Sequence, residues 1–289
     1  MNAPVAPPSV MPPGSVPPSD AELAKIAAIA HSEAGIVIAA GKASMVQSRL
    51  AKRLRALGMT DYGTYLDYVQ TDEGREERQR MISQLTTNVS HFFRENHHFE
   101  IFRDKVLPGL VARAKSGGRV RFWSAGCSNG QEAYSMAMTI LSVMPDAAER
   151  DIKILATDID PMVTARGRAA EYDASSITGI PEDMRKKFLE PAGAGYRICA
   201  AARSLVTFRE LNLHATWPMK GKFDAIFCRN VVIYFDPPAQ EALWKRFGAA
   251  LEPGGWLFVG HSERVPAGPA TPFDTAGITT YRLRGGKQQ

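Results

Sequence analysis

Hydrophobic positions change their rhythm once along this chain, near residue 100. From Asp20 to about Leu85 they recur at helical spacing. Met45, Val46, Leu50, Leu54 and Leu57 mark the apolar face of a helix over Ala43–Leu57, while Lys42, Arg49, Lys52, Arg53 and Arg55 occupy the other positions. Ser19 or Asp20 can cap an earlier helix running through Ile29, and Asp61 to Val69 and Glu73 to Leu85 read as two more. Beyond residue 100, short apolar runs alternate with turns and helices. Arg119–Ser124, Ile152–Thr157, Leu205–Glu210, Phe223–Cys228, Trp256–Gly260 and Thr279–Leu283 read as strands. Ala133, Met136, Ala137, Ile140 and Leu141 form a helical stripe after the first. Asp160-Pro161 and Asp236-Pro237 each set a capping aspartate before a proline at the first helical position. Pro253-Gly254-Gly255 is expected to end the second of those helices. Strands alternating with helices predict an open, mostly parallel α/β sheet. Residues 169–203 break the rhythm and hold a possible hairpin around Gly193 to Gly195, so they read as an inserted β-subdomain.

Composition adds the ends and the surroundings. Residues 1–19 are proline-rich and carry no charged side chain, so they cannot bury enough apolar surface to fold and are expected to form a disordered arm. The organisation expected is therefore this arm, a helical domain over 20–85, a connecting stretch over 86–99 and an α/β domain over 100–289. No apolar run approaches the roughly 20 residues that span a bilayer, and the first residues lack the order of a signal peptide. A cytoplasmic protein, not inserted in a membrane, is expected. Cys127, Cys199 and Cys228 have neither zinc-ligand spacing nor a disulfide pattern. The net charge of +5 suits an acidic partner, whether nucleic acid, anionic lipid or an acidic protein surface.

In doubly wound sheets a ligand sits beyond the carboxyl ends of the strands, where strand order reverses. The first strand here runs into Ala125-Gly126-Cys127-Ser128-Asn129-Gly130 and then a helix. Gly126 and Gly130 permit tight turning and close approach of backbone to ligand. Asp158, on what reads as an exposed loop after the second strand, can accept both hydroxyl protons of a ribose. The loop has no G-x-G-x-x-G fingerprint, and the helix has no phosphate-binding lysine. A nucleoside without phosphates is favoured over NAD or ATP.

Five ordered stretches carry a resemblance. Leu85-Thr86-Thr87-Asn88-Val89-Ser90-His91-Phe92-Phe93-Arg94-Glu95, Trp123-Ser124-Ala125-Gly126-Cys127-Ser128-Asn129-Gly130-Gln131-Glu132, Ala156-Thr157-Asp158-Ile159-Asp160, the run from Phe223 to Phe235, and Gly260-His261-Ser262-Glu263 resemble CheR-type chemotaxis-receptor methyltransferases. The likeness extends from about residue 20 to 284. It implies a Rossmann-like class I methyltransferase sheet behind a small all-helical domain. It also implies S-adenosylmethionine as methyl donor, S-adenosylhomocysteine as product and receptor glutamates as acceptors, giving glutamate methyl esters.

Carried over by position, the resemblance puts Asn88, Ser90 and Arg94 at the site from the connecting stretch. Glu132 and Asp158 hold the amino-acid and ribose ends of the cofactor, beside Gly126. Asn212 and Leu213 flank the adenine, and Arg229 and Asn230 follow the fourth strand. Ser90 stands where the family commonly has threonine, Gln131 where it has glutamate and Ala133 where it has proline. Gln131 removes one negative charge near the cationic sulfonium, which puts cofactor affinity in question.

A glutamate carboxylate is ionised at neutral pH and attacks without a general base, so alignment and desolvation are what an enzyme must supply. Arg94 can present paired donors to that carboxylate, and Tyr234 can offer its hydroxyl at the methyl-transfer end. These two are the catalytic candidates; a surface salt bridge and a buried strand-end aromatic are their plainer readings. His91, His97 and His98 read as surface or capping residues rather than a metal site, and His261 shows no evident partner. No metal is expected.

Arg49 and Arg53, one helical turn apart, together with Lys42 and Lys52, are the candidate contacts to the methylation helices of a receptor's cytoplasmic part, against a solvated helix face as the plainer alternative. The family's subdomain hairpin can dock a receptor's C-terminal peptide by strand addition, but Pro191 to Gly195 is short and glycine-rich, which argues against such a tether here. A methyltransferase acting on RNA or a small molecule, and a cofactor-binding scaffold, are the competing readings. The basic helix lacks aromatics for base stacking and no RNA-binding module is recognisable, so no nucleic-acid partner is expected.

Overall fold

The computed structural model describes residues 16–86, 88–266 and 271–285. Most of the proline-rich arm therefore lies outside the described residues. The chain divides into two compact units, residues 1–87 and 88–289.

The first unit consists of helices α1 (Asp20–Ala34), α2 (Ala43–Leu57), α3 (Tyr62–Val69) and α4 (Arg75–Leu85). Ser19 caps α1 in a capping box, its Oγ accepting from the Glu22 amide while the Glu22 carboxylate accepts from the Ser19 amide at 2.8 Å. α1 continues past Ile29 because Ala30 and Ala34 are buried and the first residue able to end it is Gly35, at φ +69. Val46, Leu50 and Leu54 of α2 are buried, as are Tyr65, Leu66 and Met81 of α3 and α4.

α2 is tied to α4 by more than apolar contact. Arg53 grips Glu77 with Nε–Oε1 at 2.9 Å and Nη2–Oε2 at 2.5 Å, and the Tyr65 hydroxyl donates to Glu77 Oε1 at 3.0 Å. Arg49 Nη1 donates to the Leu85 carbonyl at 2.5 Å. The two arginines read from sequence as receptor contacts are thus both engaged within their own unit. The exposed cations of the same region are Lys42, Lys52 and Arg55.

The second unit begins with α5 (His97–Ile101), a π-helical turn (Phe102–Val106) and α6 (Leu107–Lys115). None of these was foreseen in the sequence. Then follow β1 (Val120–Ala125), α7 (Gln131–Val143), β2 (Ile152–Asp158), α8 (Pro161–Ala169) and β3 (Glu171–Tyr172). The insert continues as α9 (Glu182–Phe188), β4 (Leu189–Ala192), β5 (Gly195–Ile198) and α10 (Ala200–Leu205). The chain returns through β6 (Val206–Glu210), β7 (Phe223–Cys228), α11 (Pro237–Ala250), β8 (Leu251–Val259), β9 (Phe273–Gly277) and β10 (Thr280–Leu283).

Seven strands form one sheet in the order β6-β2-β1-β7-β8-β10-β9, the first five parallel and the last two pairings antiparallel. This is the Rossmann-like sheet that the resemblance implies. Helices cover both faces, so β7 is buried at every residue and α7 is buried from Gln131 to Leu141, well beyond a single stripe. β3, β4 and β5 make a separate antiparallel sheet in the order β3-β5-β4, with Gly193 at φ +56 in the hairpin turn.

Pro253-Gly254-Gly255 does not end α11, which stops at Ala250. It lies inside β8, where the register against β7 jumps from Phe223↔Leu251 to Ala225↔Trp256. Gly254, at φ +76, absorbs that bulge. β9 escaped prediction because Phe273 is its only large apolar residue. No helix among the described residues is long and apolar enough to cross a membrane.

Candidate active site

Strand order reverses at β1, with β2 and β6 to one side and β7 and β8 to the other. The carboxyl ends of β1, β2, β6 and β7 therefore bring together the loop 125–130, Asp158, the turn 210–213 and Arg229-Asn230. The segment from Asn88 to Asn96 lies across the first two of these. Asn88 donates through Nδ2 to Asp160 Oδ2 at 2.9 Å, and its carbonyl accepts from Ser128 Oγ at 2.8 Å. Further along, the Phe93 amide donates to Ser135 Oγ on α7 at 3.0 Å.

Asp158 is buried, not on an exposed loop. Its Oδ2 accepts from the Ser128 amide at 2.8 Å and its Oδ1 from the Asp160 amide at 3.0 Å, so it fastens the β1 loop to the end of β2. Each oxygen keeps a second lone pair for a ligand hydroxyl. Burial pushes its carboxyl up to about 6, against the pull of those backbone donors.

Arg229, at the end of β7, is enclosed by two carboxylates. Nη1 lies 3.2 Å from Glu132 Oε2 and Nη2 lies 3.3 Å from Glu95 Oε2, and Nη2 also donates to the Arg94 carbonyl. Glu132 receives the Ser124 hydroxyl at 2.6 Å on its other oxygen. Burial lifts the Glu132 carboxyl above the usual range, with Arg229 and Ser124 opposing. At Glu95 burial also raises the carboxyl, but Arg229 and the His261 hydrogen bonds outweigh it and bring it down to about 2. The two differ because Glu95 also receives both the amide and Nδ1 of His261, at 3.3 and 3.2 Å, which lower its carboxyl further.

Arg94 stands between two residues in left-handed backbone, Phe93 at φ +54 and Glu95 at φ +54. Ser128 at φ +49 and Asn230 at φ +60 add two more such positions around the site. Arg94 is half-buried and donates through Nη1 to the Val89 carbonyl at 3.1 Å. Ser90 and Asn212 are half-buried and Leu213 is buried; the Asn212 side-chain oxygen accepts from the His214 amide at 2.9 Å. Tyr234 is half-buried in the 3₁₀ turn Val232–Tyr234 that follows β7. Gly126, at φ +81, packs so closely that a Cβ there would lie 2.3 Å from Val231 Cγ2.

Two readings of histidine need correction. His98 is wholly buried, with Nε2 2.8 Å from Thr279 Oγ1, because α5 packs it under β10 rather than leaving it at the surface. Burial and the nearby Arg229 bring its imidazole down to about 3, so it is neutral at physiological pH. His261 has a partner, Glu95. Among the described residues Glu95, His97 and His98 form one group whose ligand atoms lie within 4.8 Å of one another. Glu95 already faces the fixed cation Arg229 at 3.3 Å, which opposes entry of a divalent ion. Sequence reasoning also missed Ser124, Ser128 and Asp160 as supports of the site, and Glu95 as the second carboxylate on Arg229. Glu95 directly follows Arg94 in the quoted motif, which was the available signal.

The site fits a nucleoside that carries an amino-acid end. Asp158 offers acceptors at the end of β2, and the β1 loop and the first residue of α7 hold two buried acceptors that no protein group satisfies, Asn129 Oδ1 and Gln131 Oε1. No lysine stands at the amino end of α7 to meet a phosphate.

Comparison with known proteins agrees. The model of the CheR methyltransferase S-adenosylmethionine-binding domain matches residues 88–282, and that of the CheR methyltransferase all-alpha domain matches residues 21–86. A probable chemotaxis protein methyltransferase of Rhizobium etli is 52% identical over 256 residues, covering 87% of this chain and 96% of the relative. The chemotaxis protein methyltransferase of Klebsiella aerogenes is 41% identical over 273 residues, covering 93% and 91%. That of Escherichia coli K12 is 40% identical over 270 residues, covering 92% and 91%.

Proposed function

The chain belongs to the CheR methyltransferase family, and from that premise we propose that it is an S-adenosylmethionine-dependent protein-glutamate O-methyltransferase of chemoreceptors. It converts receptor glutamates to methyl esters and releases S-adenosylhomocysteine. The observation that carries this reading is that Asp158 and Arg229, which pairs with Glu132, stand at the carboxyl ends of the strands flanking β1, where strand order reverses.

S-adenosylmethionine, held there, supplies a methyl group on a cationic sulfonium. Asp158 binds the ribose hydroxyls and Glu132 the amino-acid end, with Asn88, Ser90, Gly126, Arg229 and Asn230 around them and Asn212 and Leu213 beside the adenine. An acceptor glutamate is already ionised at neutral pH, so no residue need remove a proton from it. What remains is positioning in a space closed to water. Arg94 pairs with the acceptor carboxylate and Tyr234 contributes its hydroxyl. The paired left-handed residues on either side of Arg94 support this role, since they are sustained only where surrounding contacts over-determine the backbone.

Recognition of the receptor is proposed to run through the exposed cations of the α2 region and the glutamate-rich methylation helices, without a C-terminal peptide tether. β4 is an edge of the small sheet, and Pro191 within it has no N–H to give an added strand. Radiolabel should pass from S-adenosylmethionine to receptor membranes and leave as volatile methanol in base. Label that resists base, or that appears on RNA instead, would refute the proposal. Tight binding of a receptor C-terminal pentapeptide would restore the tether.

A further inference from the structure

The motif Gly260-His261-Ser262-Glu263 has no part in the functional reading above, yet its last residue does something specific. Glu263 is buried at 4% exposure with its carboxylate beneath the turn that follows β7. Oε2 accepts from the amides of Asn230 at 2.8 Å and Gly260 at 2.6 Å. Oε1 accepts from Val231 at 2.8 Å, Val232 at 2.6 Å and Ile233 at 3.3 Å. Five backbone donors from the ends of two adjacent strands thus converge on one carboxylate.

Such a concave row of amides is an anion nest, here filled by the chain's own side chain. The turn it holds starts at Arg229, passes through Asn230 in left-handed backbone at φ +60, and ends at Tyr234. It is clamped from two further directions. A Cβ on Gly260 would lie 2.5 Å from Asn230 Nδ2, and a Cβ on Gly126 would strike Val231. Backbone of β1, β7 and β8 therefore meets at this turn, and Glu263 neutralises the amides that the meeting buries.

The structure assigns Glu263 as a positioning residue of methyl transfer, acting through the turn 230–234 and the Asn230 and Tyr234 side chains it carries. This rests on the role proposed for Tyr234. The carboxylate is buried among backbone amides of the turn and of Gly260, so its effect passes through the turn. In Glu263→Gln the shape is kept but one acceptor oxygen becomes a donor. At least two amides then face an N–H group, and the turn must shift.

The test uses the full chain. Hydrogen exchange followed by mass spectrometry should show peptides over 229–234 protected in the wild type and rapidly exchanging in Glu263→Gln, while β7 itself stays protected in both. Receptor methylation at saturating substrates should fall on the order of 100-fold, the scale of a displacement near 1 Å at a reacting centre. Combined with Tyr234→Phe, the two losses should be far from additive. Fast exchange at 229–234 in the wild type, unchanged turnover in Glu263→Gln, or simple additivity with Tyr234→Phe would each overturn the assignment. The exchange outcome does not depend on whether the wild type acts on receptors rather than another acceptor, which the base-labile label decides separately.

Discussion

Arg229 meets Glu132 at 3.2 Å with its own side chain only 2% exposed. The same guanidinium serves Glu95 at 3.3 Å, so it balances two carboxylates that have little access to water. Removing one partner of a buried charge pair is costly because the other charge stays behind. Arg229→Ala should therefore lower unfolding stability by about 3–5 kcal/mol. Loss of cofactor binding should accompany it. Urea denaturation that overlays the wild type would mean that water, rather than Arg229, compensates Glu132 and Glu95.

The elevated carboxyl of Asp158 predicts a pH dependence of cofactor binding. Its ordinary value is 3.8 and burial brings it to about 6. Protonation costs an acceptor, so affinity for S-adenosylmethionine should fall as pH drops below about 6, by up to roughly tenfold per unit. The effect on folding has the opposite direction. A raised carboxyl favours the folded state fully below 3.8, and that contribution is lost as pH rises through about 6. In Asp158→Asn the inflection near pH 6 should vanish from the calorimetric affinity profile and the remaining affinity should be low. An inflection that survives the substitution belongs to another group.

Arg94→Ala should depress turnover much more than cofactor affinity, because the side chain is proposed to meet the acceptor glutamate. The loss expected is that of a charge-assisted hydrogen bond, about 1.5–3 kcal/mol in kcat/KM for receptor. The backbone carbonyl that anchors this residue to Arg229 is untouched by the change, so the loop should stay in place. Equal methylation rates would remove Arg94 from the mechanism, and a large loss of cofactor binding would move it to the cofactor.

The sheet was legible because six of its seven strands carry β-branched or aromatic residues in short runs set between turns and helices. The exceptions are informative. β9 offers one large apolar side chain, and the bulge in β8 uses the Pro-Gly-Gly sequence that more often ends a helix. At the site, Asp158 could be read from its place after a strand. The Glu95–Arg229–Glu132 arrangement could not, since its members lie up to 134 positions apart in sequence and only the fold brings them together. His98 failed for the opposite reason: a histidine in a polar-looking run gave no hint that α5 would bury it beside Thr279.

The helical unit gives the last prediction, and it changes which residues should be tested. Arg53 is drawn to Glu77 through two parallel hydrogen bonds, with the Glu77 side chain 3% exposed and the Tyr65 hydroxyl on the same carboxylate. Glutamate at position 53 would set two carboxylates against each other in a nearly dry space. Arg53→Glu should destabilise the unit by about 3–5 kcal/mol, and any loss of receptor methylation in it would report unfolding. Lys52 and Arg55 are exposed on the same helix, so reversing them leaves the Glu77 contacts intact. A surface charge facing glutamate-rich receptor helices acts chiefly on encounter and is screened over roughly 8 Å at physiological ionic strength. The double variant Lys52→Glu with Arg55→Glu should raise the KM for receptor severalfold at low salt, with melting temperature and cofactor affinity unchanged. Wild-type methylation should decline as salt is added, and the variant should respond less. Kinetics that coincide across the salt series would leave this helix a solvated face and send the search for the receptor contact elsewhere.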